Sequence, residues 1–387
     1  MTRLAVYTEY GLNTGGTEKY LQTIAANVNK EKFIVDFYYI DDDSKVSKVK
    51  KQYLMDRDVN LIAYTSDEPY EWKRFVFHHS DDFFKKFKGA DIILTGSNGF
   101  PEEILTHIRN IPILQSIHYV SGIDWQFNIA RVLHISEFSK RMWERKGGDS
   151  SRVVMVSHPI EIPKYSYSSI RKKFNISENT FVFGMHQRDN DFIFSEIPLK
   201  AYSLVETDET AYVLCGGSKK YREQASKLGL KHCYFIDATD SNDVIYSFLQ
   251  DLNVYAHGRY DGELNSTALA EAMYFGLPII SHPSQKYNGH LEVINENGII
   301  ANTYEEYAEA MKKMMIDAEM RKRCAEESKK MFEMKYDLNV QIIKFESICE
   351  DVLQNPYPHK IKRMVLNWVS IFMNFMKIES YRRVKHV

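Results

Sequence analysis

The sequence has few cysteines and no long apolar run. Its four cysteines lie far apart in a chain of 387 residues. No C-x-x-C pair or His/Cys cluster accompanies them, so we expect no zinc site and a reducing, cytoplasmic compartment. The start, MTRLAVYTEYG, is too short and polar for a signal peptide. No stretch approaches the roughly 18 apolar residues of a membrane span. The cysteines are Cys215, Cys233, Cys324 and Cys349.

A strong charge of either sign is also lacking. The net charge is −2, with 44% hydrophobic and 26% charged residues, which is ordinary for globular proteins and does not suggest nucleic acid as a partner. The one asymmetry is residues 359–387, where the only acid is Glu379. The basic residues there are Lys360, Lys362, Arg363, Lys377, Arg382, Arg383 and Lys385.

Short β-branched runs alternate with amphipathic stretches along most of the chain. This alternation predicts βαβ units and parallel sheets. It breaks at SHPIEIPKYSYSS (157–169), a linker candidate. We therefore predict an α/β protein with two Rossmann-like doubly wound domains that face each other across a cleft, at 1–163 and 164–340, followed by C-terminal helices at 341–387. The strand candidates are RLAVYTEY, FIVDFYYI, VNLIAYTS, ADIILTGS, IPILQSIH, ARVLHIS, TFVFGMH, TAYVLCGG, HCYFIDA, LNVYAHG and LPIIS.

Two carboxylates stand eight positions apart in the stretch GRYDGELNSTALAEAMYFGLPIIS (258–281). They are Glu263 and Glu271, and a helix is predicted to start between them, near residues 265–267. A helix N-terminus offers free N–H groups to an anion. A phosphate there, with a carboxylate on either side for sugar and ribose hydroxyls, suits a nucleotide sugar. A capped surface helix with ordinary acids fits the pattern equally well.

This stretch resembles the E-x(7)-E signature of retaining glycosyltransferases of the GT-B fold, family 4. The resemblance extends to NTGGTEKYLQTIAANV, to RVLHISEFSKRMWERKGGDSSRVVMVSHPIEI, to VLCGGS and to GHLEVINENGIIA. Together these segments cover most of residues 1–335. The resemblance implies a retaining transferase that takes a nucleoside-diphosphate sugar as donor.

The resemblance also implies roles for individual residues. Glu263 would contact the transferred sugar, Glu271 would hold the ribose hydroxyls, and His118 would lie beside the donor sugar and help to position it. The remaining implied positions bind the donor mainly through backbone groups. They are Gly15 and Gly16 near the phosphates, Asn265, Ser266 and Thr267 at the diphosphate, and Ile236 and Asp237 near the base.

One position departs from the family pattern. The family usually has an Arg and a Lys after the first strand of the second domain, where both neutralise the leaving diphosphate. Arg188 matches the Arg, but the Lys position falls near Ile193. His186 or Lys219 are substitutes whose spacing does not decide between them. The departure leaves the strength of donor binding and the catalytic competence open.

Two acidic triplets, 41–43 and 189–191, are D-x-D candidates for a metal. Solvated turns explain both. Arg188 and the helix N-terminus already offer charge neutralisation, so we expect no essential metal and no cofactor beyond the donor co-substrate.

The C-terminal segment mixes apolar and basic residues at roughly helical spacing. One interpretation is an amphipathic helix on an anionic membrane, so that the enzyme is peripheral on the cytoplasmic face. The other is a final helix that crosses back onto the first domain, which we favour for residues 340–358. We expect the acceptor to be a glycan or a lipid-linked glycan.

Four other functions compete with a glycosyltransferase. A GT-B nucleotide-sugar epimerase would need acid and base residues at the sugar, and a phosphorylase would need a lysine for pyridoxal phosphate; neither is evident. A non-catalytic sugar-nucleotide-binding or scaffold subunit is supported by the absent Lys. A Rossmann dehydrogenase is disfavoured, because YGLNTGG lacks the G-x-G-x-x-G spacing.

Overall fold

The computed structural model describes residues 1–357 and also 361, 364–365, 368 and 372. Within 1–357 it leaves out 10, 14, 42–43, 65–69, 73–74, 78–84, 88, 100–101, 103–107, 109 and 125, and for 70–72 and 75–77 it describes the backbone. The chain divides into two compact units, Met1–Pro159 with Gln341–Val387 and Ile160–Val340. The sequence-based limits are 163/164 and 340/341.

The first unit contains a seven-stranded parallel sheet in the order β3-β2-β1-β6-β7-β8-β9. Its strands are β1 (Thr2–Tyr7), β2 (Phe33–Ile40), β3 (Val59–Tyr64), β6 (Ile92–Ser97), β7 (Ile113–Ile117), β8 (Ile129–His134) and β9 (Val153–Met155). An antiparallel hairpin joins β4 (Tyr70–Trp72) and β5 (Phe75–Phe77). Three of its helices are α1 (Gly16–Asn27), α2 (Lys45–Met55) and α3 (Glu137–Arg145).

The second unit contains a six-stranded parallel sheet in the order β12-β11-β10-β13-β15-β17. Its strands are β10 (Phe181–Gln187), β11 (Thr210–Gly216), β12 (Cys233–Ile236), β13 (Val254–Ala256), β15 (Ile279–Ser281) and β17 (Gly298–Ile300). A separate parallel pair joins β14 (Gly262–Glu263) and β16 (Tyr287–Asn288). The helices are α4 (Ile170–Lys173), α5 (Ile197–Tyr202), α6 (Lys219–Leu228), α7 (Asn242–Gln250), α8 (Thr267–Tyr274), α9 (Tyr304–Ile316) and α10 (Ala318–Lys335).

Strand burial explains why continuous apolar runs mark both sheets. Every residue of β8 is buried, and the central residues of β10 and β11 are buried as well. Parallel strands are covered on both faces by helices, so they do not alternate apolar with polar residues. Each strand candidate in the sequence forms a strand, and the prediction of an α/β protein with parallel sheets in two units is confirmed.

The last regular helix, α11 (Leu338–Gln354), makes polar contacts within the first unit from Gln341 onward. Glu346 Oε1 accepts a hydrogen bond from the backbone N–H of Asn29 at 2.7 Å. Asp351 Oδ2 lies 2.5 Å from Arg131 Nη2.

The linker candidate is bound to the second unit through Asp251, at the end of α7. Asp251 Oδ2 accepts hydrogen bonds from Ser169 Oγ at 2.9 Å and from the backbone N–H of Ile170 at 2.7 Å, and Oδ1 accepts one from Tyr167 Oη at 2.6 Å. Asp251 is buried. A buried carboxylate that accepts several hydrogen bonds is costly to remove, because its donors lose their partners together.

We predict that Asp251→Ala destabilises the second unit by about 2–4 kcal/mol, because several donors, among them the buried N–H of Ile170, lose one buried acceptor. Chemical denaturation followed by intrinsic fluorescence measures the change. The control is Asp243→Ala, which removes one exposed bond, from the Ser166 N–H at 2.8 Å, and should cost under about 1 kcal/mol. Equal losses in the two variants would contradict this assignment.

Candidate functional site

The carboxyl ends of β10, β11, β12 and β13 lie along one edge of the second sheet, because these strands are parallel. In open α/β sheets ligands bind outside this edge. Most of the site residues expected in this unit follow these strands. Arg188 follows β10, a Gly-Gly-Ser loop follows β11, Asp237 follows β12, and Glu263 stands in the connection between β13 and α8.

Two residues of the connection between β13 and Glu263 lie beside the Glu263 carboxylate. Its Oε1 lies 3.1 Å from Arg259 Nη1, and its Oε2 lies 3.4 Å from His257 Nε2. The second distance is long for a hydrogen bond. His257 is buried, and its Nδ1 lies 2.8 Å from Ser281 Oγ. The backbone of Glu263 is fixed by pairing with Asn288 across β14 and β16.

These neighbours set the ionisation of Glu263. Burial by itself raises the pKa of the carboxyl, but His257, Arg259 and Ser266 outweigh it and lower the pKa to about 2. Burial lowers the pKa of His257, so this imidazole is neutral near pH 7. The result is an ionised carboxylate with a fixed orientation at neutral pH.

Glu271 is held in a similar way from another strand. It is the fifth residue of α8 and is buried, and its Oε2 lies 3.0 Å from His186 Nε2. His186 Nδ1 lies 3.2 Å from the hydroxyl of Tyr255. Burial raises the pKa of Tyr255 well above its usual value, so the hydroxyl stays protonated. A histidine therefore contacts each of the two glutamates.

The helix between the glutamates starts where the sequence predicted. Ser266 is the N-cap of α8, its Oγ accepts a hydrogen bond from the Leu269 N–H at 3.2 Å, and Thr267 is the first helical residue. Asn265 Oδ1 accepts a bond from Tyr336 Oη at 3.0 Å. Asn265 Nδ2 is buried and has no hydrogen-bond partner in the described part of the chain. The residue just before the N-cap of α8 therefore has a side-chain amide nitrogen without a hydrogen-bond partner.

The loop after β11 approaches β10 closely. Gly216 has φ of +75°, and a Cβ there would lie 2.0 Å from the carbonyl oxygen of Gln187. Only glycine fits both conditions. Ser218, the N-cap of α6, is buried, and its Oγ has no hydrogen-bond partner among the described residues. Two unsatisfied buried polar atoms thus occur at two helix starts, those of α6 and α8.

Arg188 is exposed at the end of β10. Two aspartates, Asp189 and Asp191, lie near Arg188 in sequence and could pair with it at the surface. Asp191 Oδ2, however, lies 3.7 Å from Lys220 Nζ. Ile193, at the expected Lys position, is buried. Of the substitutes, His186 is engaged with Glu271 as described, and Lys219 is the first residue of α6.

The two residues expected near the base stand at the end of β12. Ile236 is its last residue and is buried, whereas Asp237 is exposed and lies 2.7 Å from Arg222 Nη2. The Asp237 side chain is therefore paired with an arginine. Its backbone groups follow the strand at the same edge as Gly216.

Residues 167–331 match the family model described as glycosyl transferases group 1. This range contains Arg188, the Gly-Gly-Ser loop and both glutamates. The match covers most of the second unit and less than half of the chain. No curated protein matches the chain in a sequence comparison.

Solved structures show the fold of the whole chain. Anabaena Alr3699/HepE in complex with UDP and glucose is 16% identical, with a TM-score of 0.71 over 90% of this chain and 99% of that chain. Sucrose-phosphate synthase from Thermosynechococcus elongatus is 14% identical, with a TM-score of 0.68 over 92% and 100%. The lipopolysaccharide outer core galactosyltransferase WaaB is 14% identical, with a TM-score of 0.65 over 89% and 98%. The chain has the GT-B fold.

In the first unit, His118 directly follows β7. Its Nε2 lies 2.6 Å from Ser116 Oγ, and its ring packs edge-on against Tyr20 and His158. Burial, with smaller contributions from His158 and His134, lowers the pKa of His118 well below its usual value. The imidazole is therefore neutral near pH 7, and it can donate or accept a hydrogen bond without carrying charge.

The glycine pair lies at the start of α1. Gly15 is the N-cap, with φ of −61°, and Gly16 is the first helical residue. A Cβ at Gly15 would meet the flexible side chain of Glu18, and one at Gly16 would meet no described atom within 4 Å. Neither glycine is required by the local fold of the described chain, which leaves their role at the donor phosphates a prediction.

The described residues contain no group of three or more His, Cys, Asp or Glu side chains that could hold a metal ion. Of the acidic triplets, Asp42 and Asp43 lie outside the described residues. The expectation that no metal is needed stays a prediction.

Sequence reasoning missed Arg259 and His257. Both directly follow β13 in the segment AHGR, at the strand edge where ligands bind, and that position was the available signal. Their link to Glu263 depends on the turn between β13 and β14, which carries no recognised motif.

We predict that Glu263 contributes to acid stability. Its pKa in the folded protein lies below the ordinary value of 4.5, so the ionised carboxylate stabilises the fold above about pH 4.5, and this contribution is lost as the pH falls to about 2. The melting temperature of the wild type should fall more steeply over this range than that of Glu263→Gln. Differential scanning fluorimetry from pH 7 to 2 measures both curves. Parallel curves would contradict the assignment.

Proposed function

We propose that this protein is a retaining, metal-independent glycosyltransferase. It moves a sugar from a nucleoside-diphosphate sugar to a hydroxyl of a glycan or lipid-linked acceptor. The observation that carries this proposal is the pair of carboxylates on either side of the start of α8, the half-buried Glu263 and the buried Glu271, each contacted by a histidine. That arrangement suits a diphosphate at the helix N-terminus with hydroxyl-bearing rings on both sides.

The unsatisfied atoms at this edge support a polar ligand. Buried polar groups normally have partners, so Ser218 Oγ and Asn265 Nδ2 call for an explanation. A bound diphosphate or ribose offers oxygen acceptors to both. HepE has been solved with UDP, and UDP-sugars are therefore the first donors to test.

In the proposed reaction the C1–O bond to the diphosphate breaks while the acceptor oxygen attacks C1 from the same face. The leaving phosphate oxygen takes the acceptor proton, so the configuration is retained without a protein nucleophile. Arg188 and the N–H groups of Ser266 and Thr267 stabilise the leaving diphosphate. Glu263 and His118 hold the sugar in position.

The rest of the donor is held by groups that do not react. Glu271 accepts hydrogen bonds from the ribose hydroxyls. Backbone groups at Ile236 and Asp237 contact the base, and those at Gly15 and Gly16 approach the phosphates. Asn265 contributes its backbone beside the helix start. The charge of the diphosphate is balanced by Arg188 and the α8 terminus, and a divalent cation is not needed.

We predict that one nucleotide sugar raises the melting temperature of the purified protein, and that EDTA leaves the shift unchanged. The panel contains UDP-, GDP-, ADP-, TDP- and CMP-sugars. Glu271→Ala should lose most of the shift, because the ribose loses a charged acceptor worth about 1.5–3 kcal/mol. The control is Glu305→Ala, an exposed acid on α9. NMR of the sugar released by slow donor hydrolysis reports its anomeric configuration.

Several outcomes of this panel would overturn the proposal. Absence of any shift would favour the scaffold subunit, which the buried Ile193 at the Lys position supports. A shift that requires a divalent cation would remove metal independence. Release of the inverted anomer would remove the retaining mechanism.

The acceptor side of the proposal includes peripheral contact with the cytoplasmic face of a membrane. Among the described residues, no helix is both long and apolar enough to cross a bilayer. The described residues beyond 357 are helical, and all are exposed and apolar. They are Ile361, Met364, Val365, Trp368 and Phe372, whose spacing places them along one helix face. The basic residues of 359–387 lie outside the described residues and supply charge complementary to anionic lipid.

We predict that the full chain sediments with vesicles of phosphatidylglycerol and much less with phosphatidylcholine. The double variant Trp368→Ser, Phe372→Ser should lower the bound fraction at least about tenfold, because two large apolar side chains no longer enter the interface. The control is Ile316→Ser, an exposed apolar residue on α9. Equal sedimentation of the double variant and the wild type would contradict this part of the proposal.

A further inference from the structure

Arg259 is tied to two carboxylates within its own loop. Its Nε lies 2.7 Å from Asp261 Oδ1, its Nη2 lies 3.4 Å from Asp261 Oδ2, and its Nη1 lies 3.1 Å from Glu263 Oε1. The side chain is only 16% exposed. A planar guanidinium that contacts two carboxylates at once is confined to a narrow range of orientations.

Glu263 has a neighbour at each carboxylate oxygen, but only Oε1 accepts a hydrogen bond in the described chain. Arg259 approaches Oε1, and His257 faces Oε2 from the other side. If His257 Nδ1 accepts a hydrogen bond from Ser281, the ring proton lies on Nε2 and faces the carboxylate. The hydrogen bond from the Arg259 guanidinium is therefore the contact that orients the carboxylate, while His257 lies beside Oε2 without a hydrogen bond in the described chain.

The loop that carries Arg259 is itself attached to the segment where the family Lys is absent. The backbone N–H of Tyr260 donates to the carbonyl oxygen of Ile193 at 3.2 Å, and Gln187 Nε2 donates to the carbonyl oxygen of Gly258. The residues on both sides of Arg259 are thus anchored to the end of β10 and to the turn after it. We therefore expect the backbone at residue 259 to keep its position when the side chain is shortened.

We propose that Arg259 is a positioning residue, which holds the Glu263 carboxylate in the orientation that recognises the sugar of the donor. This inference rests on the proposed function. A carboxylate distinguishes sugar hydroxyls only if its orientation is fixed, since hydrogen bonds weaken steeply with misalignment. The positive charge of Arg259 also balances Asp261 and Glu263, two acids that would otherwise repel a diphosphate nearby.

Arg259→Lys separates orientation from charge. Lysine retains the positive charge but lacks the planar fork that contacts two carboxylates together. Binding of the nucleotide alone depends on charge, whereas binding of the nucleotide sugar depends also on the orientation of Glu263. The Kd for UDP should therefore stay within about twofold of wild type, while the ratio of the Kd for UDP-sugar to that for UDP rises about tenfold.

The experiment is isothermal titration of the full chain with UDP and with the UDP-sugar that gives the largest shift in the donor panel. Asp261→Asn provides a second variant, because it loosens Arg259 while keeping Glu263, and it should raise the same ratio by a smaller factor. The control is Arg131→Lys, which alters a buried arginine paired with an exposed aspartate in the first unit and should leave the ratio unchanged.

The outcomes are distinct. An unchanged ratio in Arg259→Lys, with UDP still bound, overturns the positioning role and leaves the proposed function intact. An equal loss of UDP and UDP-sugar affinity also overturns it, because Arg259 would then act on the diphosphate or on the fold. Absence of binding of any nucleotide to the wild type overturns the proposed function and this inference together.

Discussion

The placement of two carboxylates at one sheet edge, with Glu271 buried and Glu263 half-buried, is the constraint on which the second unit depends. An ionised carboxylate out of water is costly unless hydrogen bonds or opposite charges compensate it. Glu263 is compensated by Arg259 and contacted by His257, and Glu271 is contacted by His186. Each compensating residue comes from the end of a neighbouring parallel strand or from the turn that follows it. The strand order therefore decides which groups reach the carboxylates.

This dependence explains what the sequence could predict. Continuous β-branched runs such as FIVDFYYI mark buried parallel strands, because both faces are covered, and they were located correctly. The start of α8 was also located, because Ser266 is a local N-cap whose partner, Leu269, is three residues away. Short-range patterns of this kind are visible in the chain itself.

The residues that contact the two glutamates could not be predicted from local sequence patterns. His186 lies 85 positions before Glu271, and the two meet only because β10 is adjacent to β13. No local pattern encodes that distance. Arg259 lies close to Glu263 in sequence, but the contact of its guanidinium with two carboxylates depends on the geometry of the turn between β13 and β14. From the sequence, only His186 and Lys219 were expected to substitute for the charge of the absent Lys, and Arg259 was not. The role assigned to each site residue stays a prediction.

The proposed reaction places different demands on the two halves of the donor, and the site meets them with different side chains. The sugar is neutral, and its hydroxyls are distinguished by direction, which calls for buried acceptors with fixed orientation. Glu263 has that character. The diphosphate gains charge and then leaves, which calls for a cation that does not hold it too firmly. Arg188 is exposed at the end of β10, where water screens its attraction. Ile193 is buried where the family has a second cation, so product release would be easier and donor binding weaker. Neutralisation of the diphosphate charge would then depend more on the N–H groups at the start of α8.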